Sequence, residues 1–413
     1  MNYIDLFAGA GGLSEGFLQE HFKAIAHVEM NTDAAYTLKT RACYYYLKEI
    51  DRLDIYYDYL KKNISREELY SYVPEIVFNK IINETISDKS INDIFNTIDE
   101  LIVNENINNV DLIIGGPPCQ AYSLVGRAVK DDGMENDPRN YLYRLYCRFL
   151  KKYQPKMFVF ENVPGLKSAN NGKHFINVRK YMSRVGYNVD FRELNAKDYG
   201  VLQSRKRIII IGWRRDLELK YPDIEALKHN FKVSDLLEDL PSIQAGESNN
   251  QYCTTDINEY LKRFNIRTEN DVLNFHVSRP NIERDREIYR IVINTWNQYN
   301  KRVKYTDLPD ELKTHKNITS FLDRFKVVAG NCQYCHTVLA HISKDGHYFI
   351  HPDYDQARSI TVREAARIQS FPDNYFFEGS RTAAFTQIGN AVPPLMAKAI
   401  AKAILKQMED LNE

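Results

Sequence analysis

The chain has 413 residues, 44% hydrophobic and 27% charged, with 55 Lys/Arg against 55 Asp/Glu. That length is too great for one small core, so two domains are expected, with room for a third. No apolar run reaches the ~18 residues of a spanning helix, no basic leader with a cleavage site opens the chain, and six scattered cysteines suggest no disulfide framework.

These features lead to the expectation of a cytoplasmic protein. The neutral total gives no hint of nucleic acid, but the charge is uneven. Tyr44–Val110 carries 7 Lys/Arg against 13 Asp/Glu, so the remainder is positive and has room for a basic surface.

In chain order, Tyr3–Phe7 (YIDLF) reads as a short apolar strand, broken by AGAGG and followed by Leu13 and Phe17 at helical spacing. Ala24–Glu29 is a second strand, and Asn31 or Thr32 suits the cap of the next helix. About 41–109 is rich in Tyr, Asn, Ile and acids, and is expected to be a helical insertion. Alternation resumes with strand Val110–Ile114, helix Arg139–Tyr153, strand Met157–Val163, a helix near Phe175–Val185, and strands YNVDFREL and Arg207–Trp213. Strands alternating with helices imply an α/β fold whose mostly parallel sheet is covered on both faces. Beyond Trp213 the pattern dissolves into short segments, expected to form a smaller domain. A clean helix closes the chain, with Ala397, Ile400, Ala401, Ile404 and Leu405 on one face.

Four features collect where such sheets bind ligands, beyond the carboxyl ends of the strands. Gly9 and Gly11 open a helix after the first strand. Ser14 stands where a dinucleotide fingerprint needs glycine. Glu29 ends the second strand, where an acid would hold ribose hydroxyls. The pair suits a nucleoside-containing cofactor, with a plain tight turn as the alternative. Cys119 follows Gly115-Gly116-Pro117-Pro118, a corner stiffened by two prolines that lack amide donors. A small buried thiol is the bland alternative. Glu161 ends the next strand, as a candidate acid opposite a nucleophile. Arg205 and Arg207 alternate about Lys206 and are expected on one strand face.

In combination these segments resemble the bacterial DNA (cytosine-5)-methyltransferase family of restriction-modification systems, over most of the chain. DLFAGAGGLSEGF is similar to its first motif and GGPPCQAYS to its catalytic turn. ENVPG resembles its acid motif and QSRKR its paired arginines. Arg358–Pro372 resembles the segment supporting target recognition, and Gln387–Pro394 (QIGNAVPP) the final motif that returns to the first.

The resemblance implies a Rossmann-like S-adenosylmethionine-dependent methyltransferase sheet in residues 1–220. A smaller target-recognition domain would occupy 221–375, and 376–413 would return to the sheet. Cys119 would attack carbon 6 of a flipped cytosine, Glu161 would hold the ring, and Arg205 and Arg207 would anchor base and acid. Phe7, Ala8, Gly9, Gly11, Gly12, Glu29, Met30, Asp93, Ile94, Pro118 and Asn390 would line the S-adenosylmethionine pocket. Gln120, Ser123, Arg127 and Lys130 would contact double-stranded DNA from a loop hinged near Gly126 and Gly133.

The implied enzyme acts as a monomer, with a cognate restriction endonuclease acting separately. No metal is expected. Cys332-Gln-Tyr-Cys335-His336 matches half a zinc site, but no second ligand pair is close in sequence. Thr361 and Glu364 read as a capping box. An RNA cytosine methyltransferase, a non-catalytic DNA-binding protein and a dinucleotide oxidoreductase are the rivals.

Overall fold

The computed structural model describes residues 1–118, 141–316, 318 and 322–411. Its centre is a seven-stranded sheet: β1 (Asn2–Leu6), β2 (Lys23–Val28), β3 (Ile81–Ile82), β4 (Leu112–Gly115), β5 (Met157–Asn162), β6 (Tyr187–Asn195) and β7 (Lys206–Arg214), in spatial order β3-β2-β1-β4-β5-β7-β6. β1, β2, β3, β4 and β5 pair in parallel, and β7 inserts antiparallel between β5 and β6. Strand order reverses between the parallel neighbours β1 and β4, the switch point where open sheets leave a crevice.

The run Ile208–Ile211 shows why β7 has no alternation. Ile208 and Ile210 join one apolar cluster, and Ile209 and Ile211 join another on the opposite face. Successive side chains leave opposite sides of a strand, so a sheet covered twice needs apolar residues at every position. The first cluster takes Ile94, Ile98, Tyr146 and Phe149 from helices Ile91–Asn104 and Leu142–Tyr153. The second takes Phe17 from helix Gly12–Gln19 and Met396, Ile400 and Ile404 from helix Pro394–Glu409.

Those two helices touch backbone to backbone. A Cβ on Gly16 would stand 2.3 Å from Lys398 N. The closing segment therefore lies directly on the first helix.

The segment 41–109 divides into three parts. The helix Thr32–Glu49 runs into it, and β3 with helix Ile91–Asn104 belongs to the sheet and its cover. Between them, short helices from Leu53 to Asn79 pack through tyrosines. Tyr56 Oη donates to Asn374 O at 2.8 Å, and Tyr59 Oη to Glu378 Oε1 at 2.7 Å. These helices brace the 374–378 segment.

The 221–375 region divides between two cores. Val233, Leu236, Tyr260 and Val338 share a cluster with Ala10, Leu202, Phe371, Phe377 and Phe385, which crosses the boundary expected at 375. Ile288, Tyr289, Val292 and Phe325 form a separate core. Among the described residues, no helix is long and apolar enough to cross a membrane.

The helix Val362–Ile368 is wholly buried although it carries two arginines and a glutamate. Thr361 and Glu364 form the capping box, with Thr361 N donating to Glu364 Oε2 at 2.7 Å. Glu364 also receives Arg358 at 2.7 and 2.9 Å. Arg367 lies between Asp239 and Asp373. Each buried charge has a partner, as burial requires.

Two buried histidines, His276 and His351, flank Glu364 at 3.9 and 3.6 Å. Burial lowers the pKa of both, that of His351 to about 4. Unfolded histidine binds its proton near pH 6.5. Between roughly pH 6.5 and 4 the unfolded chain therefore holds more protons, and stability falls as pH falls. His351→Asn is expected to flatten that dependence by up to about 1.4 kcal/mol per pH unit, the contribution of one proton. Denaturant melts at stepped pH check this, and an unchanged slope would mean that His351 is already protonated in the fold.

Candidate active site

The carboxyl edge of the sheet gathers the motif residues. β1 ends at Leu6, and the chain then turns with positive φ at Phe7 (58°), Gly9 (57°) and Gly11 (79°). The glycines do different work. A Cβ on Gly9 would meet nothing within 4 Å, so this position borders open space. A Cβ on Gly11 would stand 2.8 Å from Leu38 Cδ2, and one on Gly12 2.4 Å from Val392 O. Gly11 and Gly12 therefore permit packing of the loop against its own fold. Ala8 is buried in a small cluster with Ala35 and Leu38.

Glu29 lies immediately beyond β2 and is held on both oxygens. Gly9 N–H donates to Oε2 and Asn31 N–H to Oε1, each at 2.7 Å. Burial raises its pKa, and these amides oppose the rise. Met30, next in the chain, is 61% exposed, an apolar surface beside a fixed carboxylate.

Asp93 and Ile94 do not extend this group. Asp93 is exposed in the first turn of the Ile91–Asn104 helix, and Ile94 is buried in the core on the sheet. The residue following β3 is Asn83, whose Nδ2 donates to Glu29 O at 2.8 Å. Sequence reasoning missed Asn83 because a two-residue strand has no readable period.

Across the switch point, β4 leads into Gly115 and Gly116. A Cβ on Gly116 would stand 2.6 Å from Glu161 Oε2, so glycine here lets the carboxylate keep its place. Asn162 Nδ2 donates to Pro117 O at 3.3 Å, tying the proline corner to β5. Pro118 is half-buried at the end of the described segment. Cys119, Gln120, Ser123, Arg127 and Lys130, with the hinge glycines Gly126 and Gly133, lie outside the described residues.

Glu161 Oε1 meets Arg207 Nε at 2.7 Å. Burial raises the Glu161 pKa, against the pull of Arg207 and Arg205. Arg205 is fully buried, and its guanidinium donates to Val338 O at 2.7 Å and Gly389 O at 2.9 Å. The two arginines thus take different partners. Asn390 is exposed at the end of helix Arg381–Asn390, two residues before the Val392 carbonyl that faces Gly12.

A model of the C-5 cytosine-specific DNA methylases matches residues 1–65 and 76–406. The chain belongs to this family. The internal unmatched stretch, 66–75, lies in the tyrosine-rich brace. The methylase is 43% identical over 439 residues to the type II methyltransferase M.Bpa9945I of Bacillus paralicheniformis, covering 98% of each chain. It is 32% identical to the type II methyltransferase M.DdeI of Desulfomicrobium norvegicum, covering 100% of this chain and 90% of that one.

Its fold matches a solved prophage-encoded E. coli chain, assigned as a DNA modification methyltransferase, with TM-score 0.63 and 24% identity over 99% of both. The methyltransferase EhMeth of Entamoeba histolytica matches with TM-score 0.56 and 16% identity, over 100% of this chain and 99% of that one. The methylase is an enzyme that methylates DNA cytosine at carbon 5, which requires a methyl donor.

The Arg207 charge favours the ionised form of Glu161. Arg207→Met is therefore expected to raise the Glu161 pKa further. The carboxylic-acid stretch, found by infrared difference against Glu161→Gln, should persist to higher pH. A shift to lower pH would show that the ion pair does not govern this carboxyl.

Proposed function

We propose that this methylase transfers a methyl group from S-adenosylmethionine to a cytosine swung out of duplex DNA, through a transient bond to Cys119. The observation that carries the reading is the contact of Gly116 with Glu161. It starts the Cys119 turn against the acid that would hold the base.

The donor cleft is supported from the residues upward. The positive-φ turn at Phe7 and Gly9, and the open space at Gly9, suit close approach of a ligand to backbone. Glu29 is fixed by two amides and so is oriented to accept from ribose hydroxyls. The exposed Met30 offers an apolar face to a planar base. Asn390 and Pro118 would close the cleft from the final motif and the catalytic turn. We place Asn83, rather than Asp93 and Ile94, beside the donor. The bound sulfonium supplies an electrophilic methyl group.

Carbon 5 of cytosine is a poor nucleophile. In this reading the Cys119 thiolate adds to carbon 6, which makes carbon 5 enamine-like. Glu161 in its protonated form donates to N3, while its other oxygen accepts from the exocyclic amine. Burial, which raises the Glu161 pKa, favours the form that can donate. Arg207 holds the carboxyl in place through Oε1. Carbon 5 takes the methyl group, a base removes the carbon-5 proton, and elimination frees Cys119 and restores the aromatic ring. The cytosine must leave the stack first, at a cost of a few kcal/mol. Gln120, Ser123, Arg127 and Lys130 would hold the opened DNA.

The relatives named type II methyltransferases support a bacterial, cytoplasmic modification enzyme. It would work as a monomer beside a separately acting endonuclease.

Two measurements test this. Bisulfite sequencing of plasmid DNA after expression should show conversion-resistant cytosines in one sequence context. Duplex DNA carrying 5-fluorocytosine in that context, incubated with S-adenosylmethionine, should become covalently attached to the wild-type protein. Cys119→Ala should abolish the attachment. An adduct that survives that substitution removes Cys119 from the mechanism.

A further inference from the structure

Four segments meet in a buried polar junction beneath the site. Gln203 and Arg205 approach from just before β7 and occupy both backbone groups of Val338. Val338 N–H donates to Gln203 Oε1 at 2.8 Å, and Arg205 Nη1 donates to Val338 O at 2.7 Å. The carbonyls at the end of helix Arg381–Asn390 are taken in the same way. Gln369 Nε2 donates to Ile388 O at 2.6 Å, and Arg205 Nη2 donates to Gly389 O at 2.9 Å. Gln203 and Gln369 are joined by a 2.9 Å hydrogen bond. Carbonyls at a helix end have no partner within their own helix, so these side chains meet a standing need.

The loop and the helix end are also in direct contact. A Cβ on Gly389 would stand 2.2 Å from Ala340 N. The far end of the loop is fastened separately, by Arg279 donating to Ile342 O at 3.0 Å and Lys344 O at 3.1 Å. Leu339, held between these fastenings, is 41% exposed.

We propose that Arg205 is a positioning residue that bolts the Val338–Leu339 loop to the Gly389–Asn390 turn, so that DNA meeting the exposed loop and donor held at the turn bind cooperatively. This rests on the reading above that the base lies at Glu161 and the donor beside Asn390. Arg207 meets the Glu161 carboxylate, whereas Arg205 spends its two Nη groups on carbonyls of two separate segments. A rigid planar fork spans two separated acceptors in a geometry that a compact lysine ammonium does not reproduce. Movement of the loop on binding DNA is thereby transmitted to the donor side, and the coupling is reciprocal.

The test reads binding without turnover. S-adenosylhomocysteine, which has no methyl group to give, is titrated calorimetrically into the protein alone. It is then titrated into protein saturated with a duplex bearing the bisulfite-located site. In the wild type, DNA should tighten this binding about five-fold or more. Arg205→Lys and Arg205→Met should cut the effect to within about two-fold, while binding without DNA stays within about three-fold of wild type.

In methyl transfer, Arg205→Lys should raise KM for both ligands far more than it lowers kcat. Glu161→Gln should lose kcat and keep the coupling. If Arg205→Met does not fold, Arg205→Lys carries the test beside Gly389→Ala, which pushes the helix end off Ala340. Cys119→Ala should form no adduct and retain full coupling, so a failure of the covalent reading is distinguishable from a failure of this one. The proposal is overturned by a wild type without coupling, by Arg205→Lys with undiminished coupling, or by a kcat loss with coupling unchanged.

Discussion

A carboxyl group buried at the end of β5 sets the terms for the site around it. Glu161 faces Arg207 on the neighbouring antiparallel strand and Gly116 on the turn from the parallel one. Burying an acid raises the free energy of its charged form, and an adjacent guanidinium lowers it again. Burial prevails, and the Glu161 pKa is raised. The same packing explains a sequence feature far from it in the chain, because any side chain at position 116 would occupy the space of that carboxylate. Arginine, acid and glycine come from three strands, and the reversed direction of β7 brings Arg207 to the same edge as Glu161.

The glycine-turn side is built on a comparable constraint. Glu29 is fixed by amides of the glycine turn and of its own following residues, so its orientation does not depend on a ligand. The rest of the edge is held by close backbone approaches at Gly12 and Gly16 against the closing segment. The first and last parts of the chain therefore form one unit. The tyrosine-rich helices between Leu53 and Asn79 support that unit from the side through Asn374 and Glu378.

The segment after Trp213 shows why composition is a poor guide to domain limits. It looks irregular in sequence because its inner half has few regular elements and buries charges in pairs. The helix Val362–Ile368 is fully enclosed while holding Arg363, Glu364 and Arg367. Breaking such a pair would leave an unpaired buried charge at a cost of about 3–5 kcal/mol. Specific partners, rather than apolar area alone, hold this region against the sheet.

The sequence by itself determined the strands of the sheet except β3, the glycine turn, the two acids and the capping box. Each rests on local chemistry: apolar runs between breakers, glycines where side chains cannot fit, and a threonine three residues before a glutamate. It also carried enough ordered motifs to indicate the family. Only the tertiary structure decided the strand order and the antiparallel β7, because pairing is made between distant segments. It separated the two arginines, sending Arg207 to Glu161 and Arg205 to Val338 and Gly389. It put Asn83, and not Asp93, next to Glu29. Alternation along a strand says which residues share a face, but partners supplied from distant parts of the chain leave no local pattern to read.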